Sequence, residues 1–142
     1  MLDELYTKRL LAVTANISHI GELADAQARA TAVSKLCGSE ISVDLSLDQN
    51  GHICAFAQRL SACALGQTSA AIVAQHIEGT SPQEFHDIAR IMRIMLKENG
   101  PAPTGRWADL SLLEGVRTYS ARHASTLLVF DAVEDCLAQL GV

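Results

Sequence analysis

Residues 41–48 alternate apolar and polar side chains without interruption, in the order Ile-Ser-Val-Asp-Leu-Ser-Leu-Asp. Because successive side chains of a β-strand point to opposite faces, this segment predicts a strand with one buried face and one solvent face. Gln49-Asn50-Gly51 is typical of a turn, since Asn and Gly tolerate positive φ. The segment from His52 to about Leu60 is then predicted to return as the second strand of an antiparallel hairpin. Its residues on one face would be Cys54, Phe56, Gln58 and Leu60.

In most of the rest of the chain, apolar residues are spaced three and four apart, which predicts helices. Ser81-Pro82-Gln83-Glu84 is a helix start, with Ser as N-cap, Pro in the first turn and Glu as the partner of a capping box. Residues 22–36 are rich in Ala and leave two readings open, a short helix or irregular chain leading to a first edge strand. Gly79 is predicted to end a helix. Residues 100–107 are predicted to form a loop, and residues 109–116 a short turn or helix. The predicted helices are residues 2–15, 63–78, the segment from Ser81 to about 98, and 120–140.

Helix, strands and then helices in this order predict an α+β fold, a small three-stranded antiparallel sheet covered by helices. The chain has 142 residues, of which 49% are hydrophobic and 19% charged. This is enough apolar material for one packed core, so we predict a single domain over residues 1–142. Aromatic residues are 4%, so the core must be built mainly from Leu, Ile, Val and Ala.

Charge and motif content exclude several classes of function. The formal net charge is −5, which argues against binding to nucleic acid. No apolar run approaches the roughly 20 residues of a membrane span, and Met1-Leu2-Asp3-Glu4-Leu5 does not resemble a signal or transit peptide. We therefore expect a cytoplasmic protein. No phosphate-binding glycine motif, CxxC pair or HExxH is present.

Two of the four cysteines stand where elements are predicted to end. Cys37 precedes Gly38 and the alternating strand, and Cys63 starts a predicted helix, where unpaired N–H groups favour a thiolate. Free cysteines are also common core residues, so a purely structural role stays open for both. Cys54, in mid-strand, and Cys136, in mid-helix, are predicted to lie in the core.

Five histidines are scattered along the chain. His76 and His86 fall on predicted helices at partly exposed positions. His123 is the one of interest, because it lies near the start of the last helix, although a lone histidine is more often solvated than a ligand.

Several short segments, taken in order, resemble the iron–sulfur cluster scaffold family of the IscU, SufU and NifU N-terminal type. They span nearly the whole chain, from Leu5 to Leu140. The stretch that begins at Trp107 resembles an insertion of SufU-like members, and the "LPPVK" segment of IscU-like members is missing. The matching segments are Leu5-Tyr6 with Asn16 and Gly21, Cys37-Gly38, Gly51-His52-Ile53, Ala62-Cys63-Ala64-Leu65 with Thr68-Ser69-Ala70, Glu78-Gly79-Thr80-Ser81, Trp107-Ala108-Asp109-Leu110, Leu113-Glu114-Gly115-Val116, and Ala121-Arg122.

The resemblance implies a metal or cluster site of three cysteines and one aspartate. The first cysteine and the aspartate belong to a "CGD" motif, the second cysteine lies at a helix start, and the third belongs to an "RxxC" motif. Cys37 and Cys63 match the first two cysteines. Ser39 stands where the aspartate would be, and Ser125 stands where the third cysteine would be. Since neutral hydroxyls are poorer iron or zinc ligands than thiolates and carboxylates, two ligands are missing. They could come from His123, a water, a partner's cysteine, or a second copy in a homodimer that holds a [2Fe–2S] cluster with four thiolates.

The resemblance implies a scaffold or carrier rather than an enzyme. Its cargo would be an iron–sulfur cluster or iron, with zinc as an alternative, bound through Cys37 and Cys63, with Ser39, His123 and Ser125 as further candidates. Its implied partners are a cysteine desulfurase and recipient apo-proteins. Two other functions stay open: a sulfur carrier that accepts a persulfide on Cys63 or Cys37, and a module that has lost its ligands and only binds other proteins.

Overall fold

A computed structural model describes residues 8–142 of the chain. Residues 1–7, which include the first six residues of the predicted N-terminal helix and so Leu5-Tyr6, lie outside these described residues. The helices are α1 (Lys8–Thr14), α2 (Ala64–His76), α3 (Pro82–Lys97) and α4 (His123–Gln139), and the strands are β1 (Ala28–Val33), β2 (Glu40–Leu47) and β3 (Ile53–Ser61). Two 3-10 segments, Gly105–Thr118 and Ser120–Arg122, lie between α3 and α4. The predicted α+β class is confirmed, whereas the single domain over 1–142 stays a prediction.

The three strands form one antiparallel sheet in the order β1-β2-β3. As the alternation predicts, Ile41, Val43 and Leu45 of β2 are buried, and α4 packs against β1 and β2. The Ala-rich segment 22–36, for which the sequence allowed either a short helix or irregular chain leading to an edge strand, contains the edge strand β1. Ala28 and Ala30 of this strand are buried, and their short side chains suit the close approach of a helix to the sheet.

The prediction that Cys54 lies in the core is wrong, because a β-bulge changes the parity of β3. Ser46 pairs with Ala55, but the next residue, Leu47, pairs with Ile53, so Cys54 is the extra residue. A bulge places two residues of one strand opposite one of its partner, which moves the residue out of the alternation. Cys54 is therefore exposed, while Cys136 is buried as predicted.

The helix signals in the sequence are confirmed with small shifts in the boundaries. Ser81 is the N-cap of α3, and its hydroxyl accepts a hydrogen bond from the Glu84 backbone N–H at 3.1 Å. Gly79 has φ of 90° in the turn after α2. The predicted loop 100–107 is shorter than expected, because the 3-10 segment already begins at Gly105, and the predicted last helix begins with the short 3-10 segment before α4.

The face of the sheet opposite α4 carries a buried carboxylate. Asp44 is fully buried between Arg29 and Arg59, with Arg59 Nη2 2.9 Å and Arg29 Nε 3.3 Å from its oxygens. The Leu23 backbone N–H also donates to it, at 3.1 Å. Burial works to raise the pKa of Asp44, but the hydrogen bonds from Arg59, Leu23 and Arg29 outweigh it, so the pKa is lowered. This network fixes the segment before β1 across the sheet.

Candidate metal centre

A closed loop between β1 and β2 presents Cys37. The Ser34 backbone N–H donates to the Ser39 carbonyl and the Gly38 N–H donates to the Ser34 carbonyl, both at 2.8 Å. Gly38 has φ of 73°, a left-handed conformation that favours glycine. These bonds hold Cys37 at the exposed tip of the loop. Its sulfur atom lies 3.4 Å from the Ser34 hydroxyl oxygen and 3.0 Å from the Ser39 hydroxyl oxygen.

Cys63 reaches the same place from the other end of the hairpin. It is the N-cap of α2 and follows Ser61, which pairs with Glu40 at the start of β2. The antiparallel register therefore brings the end of β3 next to the loop that carries Cys37. The hydroxyl oxygen of Ser39, which is 3% exposed, accepts a hydrogen bond from the Cys63 backbone N–H at 3.3 Å. Ser39 thus contacts both cysteines.

Ser125 joins the site from the first turn of α4. Its hydroxyl donates to the Arg122 carbonyl at 3.2 Å, and its oxygen lies 3.4 Å from Cys63 Sγ. The side chain is buried, with 1% of the residue exposed. Gly66 permits this contact, because a Cβ atom at that position would lie 3.2 Å from the Ser125 carbonyl oxygen.

Both thiols border one open pocket at the rim of the sheet, with a volume of about 270 Å³. Its lining residues are Cys37, Gly38, Ser39, Ser61, Ala62 and Cys63. Cys63 is half-buried and Cys37 is exposed, so solutes reach the two sulfur atoms. The structure therefore gathers Cys37, Cys63, Ser39 and Ser125, the residues that occupy the four implied ligand positions.

The loop activates Cys37. The hydrogen bond with the Ser34 hydroxyl makes the largest contribution to lowering the pKa of Cys37, followed by those with the hydroxyl and the backbone N–H of Ser39. With a smaller contribution from Ser125, these hydrogen bonds outweigh the effect of burial and lower the pKa of Cys37 from 9.0 to about 7. Hydrogen bonds to the charged form lower a thiol pKa because they stabilise the thiolate. A large fraction of Cys37 is therefore thiolate at neutral pH.

His123 is held by a different part of the chain. Its ring Nε2 lies 3.1 Å from the carbonyl oxygens of Val116 and of Arg117. A ring nitrogen that faces carbonyl oxygens must carry the hydrogen and donate it, so this nitrogen is not free to bind a metal. His76 and His86 pair with Asp109 and Glu134 instead.

Ser34 is the residue of the site that the sequence alone did not indicate. It is buried, and its hydroxyl lies 3.4 Å from Cys37 Sγ. A signal was present in principle, since Ser34 lies three residues before Cys37 and Gly38 favours a tight loop between them. Without the loop geometry, this serine could not be distinguished from the other serines of the chain.

Comparison with solved structures gives the family. The chain is 48% identical to a nitrogen-fixing NifU-like protein (N-terminal) from Brucella abortus, over 99% of this chain and 96% of that one, with a TM-score of 0.95. No protein-family model matches the chain, and none of the curated proteins matches it either. The similarity to the Brucella protein shows that the chain belongs to the NifU-like N-terminal family, which confirms the resemblance to iron–sulfur cluster scaffolds of the IscU, SufU and NifU type.

Two more distant structures share the fold. An iron–sulfur cluster assembly scaffold protein assigned to the SUF system of Fervidobacterium islandicum AW-1 is 18% identical, with a TM-score of 0.85 over 94% of this chain and 96% of that one. A hypothetical protein is 22% identical, with a TM-score of 0.80 over 92% and 97%. Within residues 8–142, no helix is both long and apolar enough to cross a membrane.

Proposed function

We propose that the chain is an iron–sulfur cluster assembly scaffold that binds iron or a [2Fe–2S] cluster as cargo through Cys37 and Cys63. The observation that carries this proposal is the common pocket at the rim of the sheet, which both thiols border. Membership of the scaffold family supports it. We propose a carrier rather than an enzyme, and the accessibility of this pocket supports that choice.

The donor atoms fit half of a cluster site. Thiolates are the ligands that iron–sulfur clusters prefer, and a [2Fe–2S] cluster takes four of them. Cys37 and Cys63 supply two, while Ser39 and Ser125 offer neutral hydroxyls. No cluster of three or more His, Cys, Asp or Glu side chains placed for a metal ion occurs in the described part of the chain.

Anaerobic reconstitution with iron and sulfide tests the proposal. Wild-type protein should gain visible absorption and bound iron, and both should be lost in Cys37→Ser and in Cys63→Ser. Cys54→Ser is the matched control, because this exposed cysteine lies on the bulge of β3 and should leave iron binding unchanged. A colourless wild type, or colour that persists in both site variants, would refute cluster binding. Metal analysis of the purified protein distinguishes iron from zinc.

A second function, acceptance of sulfur from a cysteine desulfurase, is favoured by the exposure of Cys37 and its pKa of about 7. The Cys37 thiolate would attack the outer sulfur of the desulfurase persulfide. The bond between the two desulfurase sulfur atoms breaks, the desulfurase cysteine leaves as a thiolate, and Cys37 becomes a persulfide. No net oxidation or reduction occurs in this transfer. Release of the sulfur as sulfide for a cluster would take two electrons from a separate reductant, and recipient apo-proteins would take up the finished cluster.

Peptide mass spectrometry tests sulfur transfer. Incubation with a cysteine desulfurase and free cysteine should add the mass of one sulfur atom to the peptide that contains Cys37, with Cys63 as the other candidate. The peptide that contains Cys54 is the internal control. If neither site cysteine gains sulfur and no cluster forms, the chain is a family member that only binds other proteins. A cytoplasmic location stays a prediction.

A further inference from the structure

The two edges of the sheet differ in how the chain covers them. At the β3 edge, the Gln58 backbone N–H donates to the His19 carbonyl at 2.9 Å, and the Gln58 carbonyl accepts from the Gly21 N–H at 3.0 Å. Ile20, between these two residues, forms a parallel bridge to Gln58. The chain therefore covers this edge with a segment of its own, which protects it against pairing with another strand.

At the other edge, the backbone groups of alternate β1 residues point away from the sheet. Just beyond β1, the Ser34 N–H donates to the Ser39 carbonyl at 2.8 Å, so this pair continues the β1–β2 ladder as a hydrogen-bonded pair. Such pairs recur at every second residue of an antiparallel ladder, so the N–H and C=O of Arg29 and of every second residue after it point outward. The structure agrees, because Gln139 Nε2 donates to the Arg29 carbonyl from outside the ladder at 2.7 Å.

Thr31 and Val33 leave this outward row uncovered. Among residues 8–142, no hydrogen bond from another element reaches their outward N–H and C=O groups. Both side chains are exposed, that of Val33 in a residue with 56% exposure. A row of unpaired backbone groups is a template for a further strand. The charged residue of β1, Arg29, is partnered by Asp44, so it offers little repulsion to an incoming strand.

β1 is complementary to itself when it runs antiparallel to β1 of a second copy with Thr31 on the two-fold axis. In this register Thr31 faces Thr31, and Arg29 of each copy faces Val33 of the other. Every outward N–H then meets an outward carbonyl, since a carbonyl that already accepts one hydrogen bond can accept another. The two Arg29 residues lie about 13 Å apart along the strands, so like charges do not face each other, and the aliphatic stem of Arg29 covers Val33.

We infer that two copies of the chain pair antiparallel through β1, so that their two three-stranded sheets join into one continuous sheet. The pairing needs no metal, because every contact that it uses belongs to β1. Since the strands run in opposite directions, the loops that carry Cys37 lie at opposite ends of the joined strands. Each cysteine pocket keeps its own access to solvent, and the pairing is independent of the proposed cluster binding.

Sedimentation equilibrium of the metal-free full chain tests this inference. Wild type should have the mass of one chain at low concentration and of two chains at high concentration. Thr31→Pro removes an outward N–H without breaking the ladder to β2, a position where an edge strand tolerates proline, and should raise the dissociation constant at least about tenfold. Thr31→Val is the matched control: it also loses the hydroxyl contact with Ser42 at 2.8 Å but keeps the N–H, so it should dimerise like wild type.

Val33→Glu and Val33→Lys test the register with the backbone unchanged. Residue 33 faces Arg29 of the other copy in the joined strands, and the contact occurs twice. Val33→Glu should therefore keep the dimer, whereas Val33→Lys should weaken it about tenfold at low ionic strength. Within one chain residue 33 pairs with Glu40, which favours Lys over Glu, so an effect on folding alone would have the opposite sign.

The outcomes separate this inference from the proposed function. A wild type that stays monomeric at its highest soluble concentration overturns the pairing, and iron binding then stands or fails by reconstitution alone. Equal dimerisation of Thr31→Pro and wild type, or of the two Val33 variants, shows that the contact is not β1 and also overturns it. A wild type that dimerises with the expected variant pattern but takes up no iron supports the pairing and refutes cluster binding.

Discussion

Gly66 in α2 packs so closely against Ser125 in α4 that a Cβ atom on Gly66 would lie 3.2 Å from the Ser125 carbonyl oxygen. Cys63 precedes Gly66 by three residues, about one helical turn, so this approach also sets the position of the second thiol. Glycine in a helix interior costs about 1 kcal/mol relative to alanine. The site thus depends on a residue that local helix propensity disfavours.

Gly66→Val is expected to destabilise the fold and weaken iron binding, because the added methyl groups force α2 and α4 apart. Overpacking of this kind typically costs about 1–3 kcal/mol in free energy of unfolding. Thermal unfolding and iron content after reconstitution measure the two effects. Gln75→Val places the same side chain on the exposed face of the same helix and should change neither; equal behaviour of the two variants would show that the Gly66 contact is unimportant.

The alkylation rate of Cys37 should depend on pH with a midpoint near 7, since its pKa is about 7. Only the thiolate reacts, so the rate at pH 6 should be about one tenth of its plateau value. Ser34→Ala removes the largest stabilising hydrogen bond and should move the midpoint up towards 9.0. The rate of iodoacetamide labelling, followed on the Cys37 peptide, measures this. A wild-type rate that still rises about fivefold between pH 8 and 9, as for a thiol with the ordinary pKa of 9.0, would contradict the assignment.

Asp44→Asn should lower the free energy of unfolding at pH 7 by about 2 kcal/mol, because it removes the charge of a fully buried carboxylate that accepts hydrogen bonds from Arg59 and Arg29. The folded-state pKa of Asp44 is lowered, so its contribution is fully present above the unfolded pKa of about 3.9 and is lost as the pH falls through the folded value. Urea unfolding at pH 7 and pH 3 should show the difference from wild type shrinking in acid. Asp25→Asn, an exposed control, should show no such trend.

Ser39→Asp combined with Ser125→Cys should strengthen iron binding, because the two substitutions supply the carboxylate and the third thiolate at positions that already contact the cysteines. After anaerobic reconstitution, the double variant should retain more iron than wild type when a chelator is added. Ser39→Asp with Ser111→Cys adds the same groups but puts the thiol on the exposed surface of the 3-10 segment. If both double variants retain the same amount of iron, Ser125 is not a ligand position.

Local sequence signals were sufficient where neighbouring residues decide the structure. The uninterrupted alternation of residues 41–48 predicted β2, and the Ser81-Pro82-Glu84 pattern predicted the start of α3. The positions of Cys37 and Cys63 at element ends made them candidates, and the resemblance to the scaffold family implied their ligand role, which stays a prediction. Each of these features depends on hydrogen bonds or periodicity over a few residues, so the sequence contains the necessary information.

The sequence by itself determined the α+β class, the order of the elements, and the place of Cys37 and Cys63 at the ends of elements. Only the tertiary structure decided that Cys54 leaves the core, because a β-bulge results from pairing with another strand. Only the tertiary structure placed Ser34 against Cys37 and turned His123 towards Val116. These contacts depend on loop closure and on packing between elements distant along the chain, and no local pattern of residues encodes them.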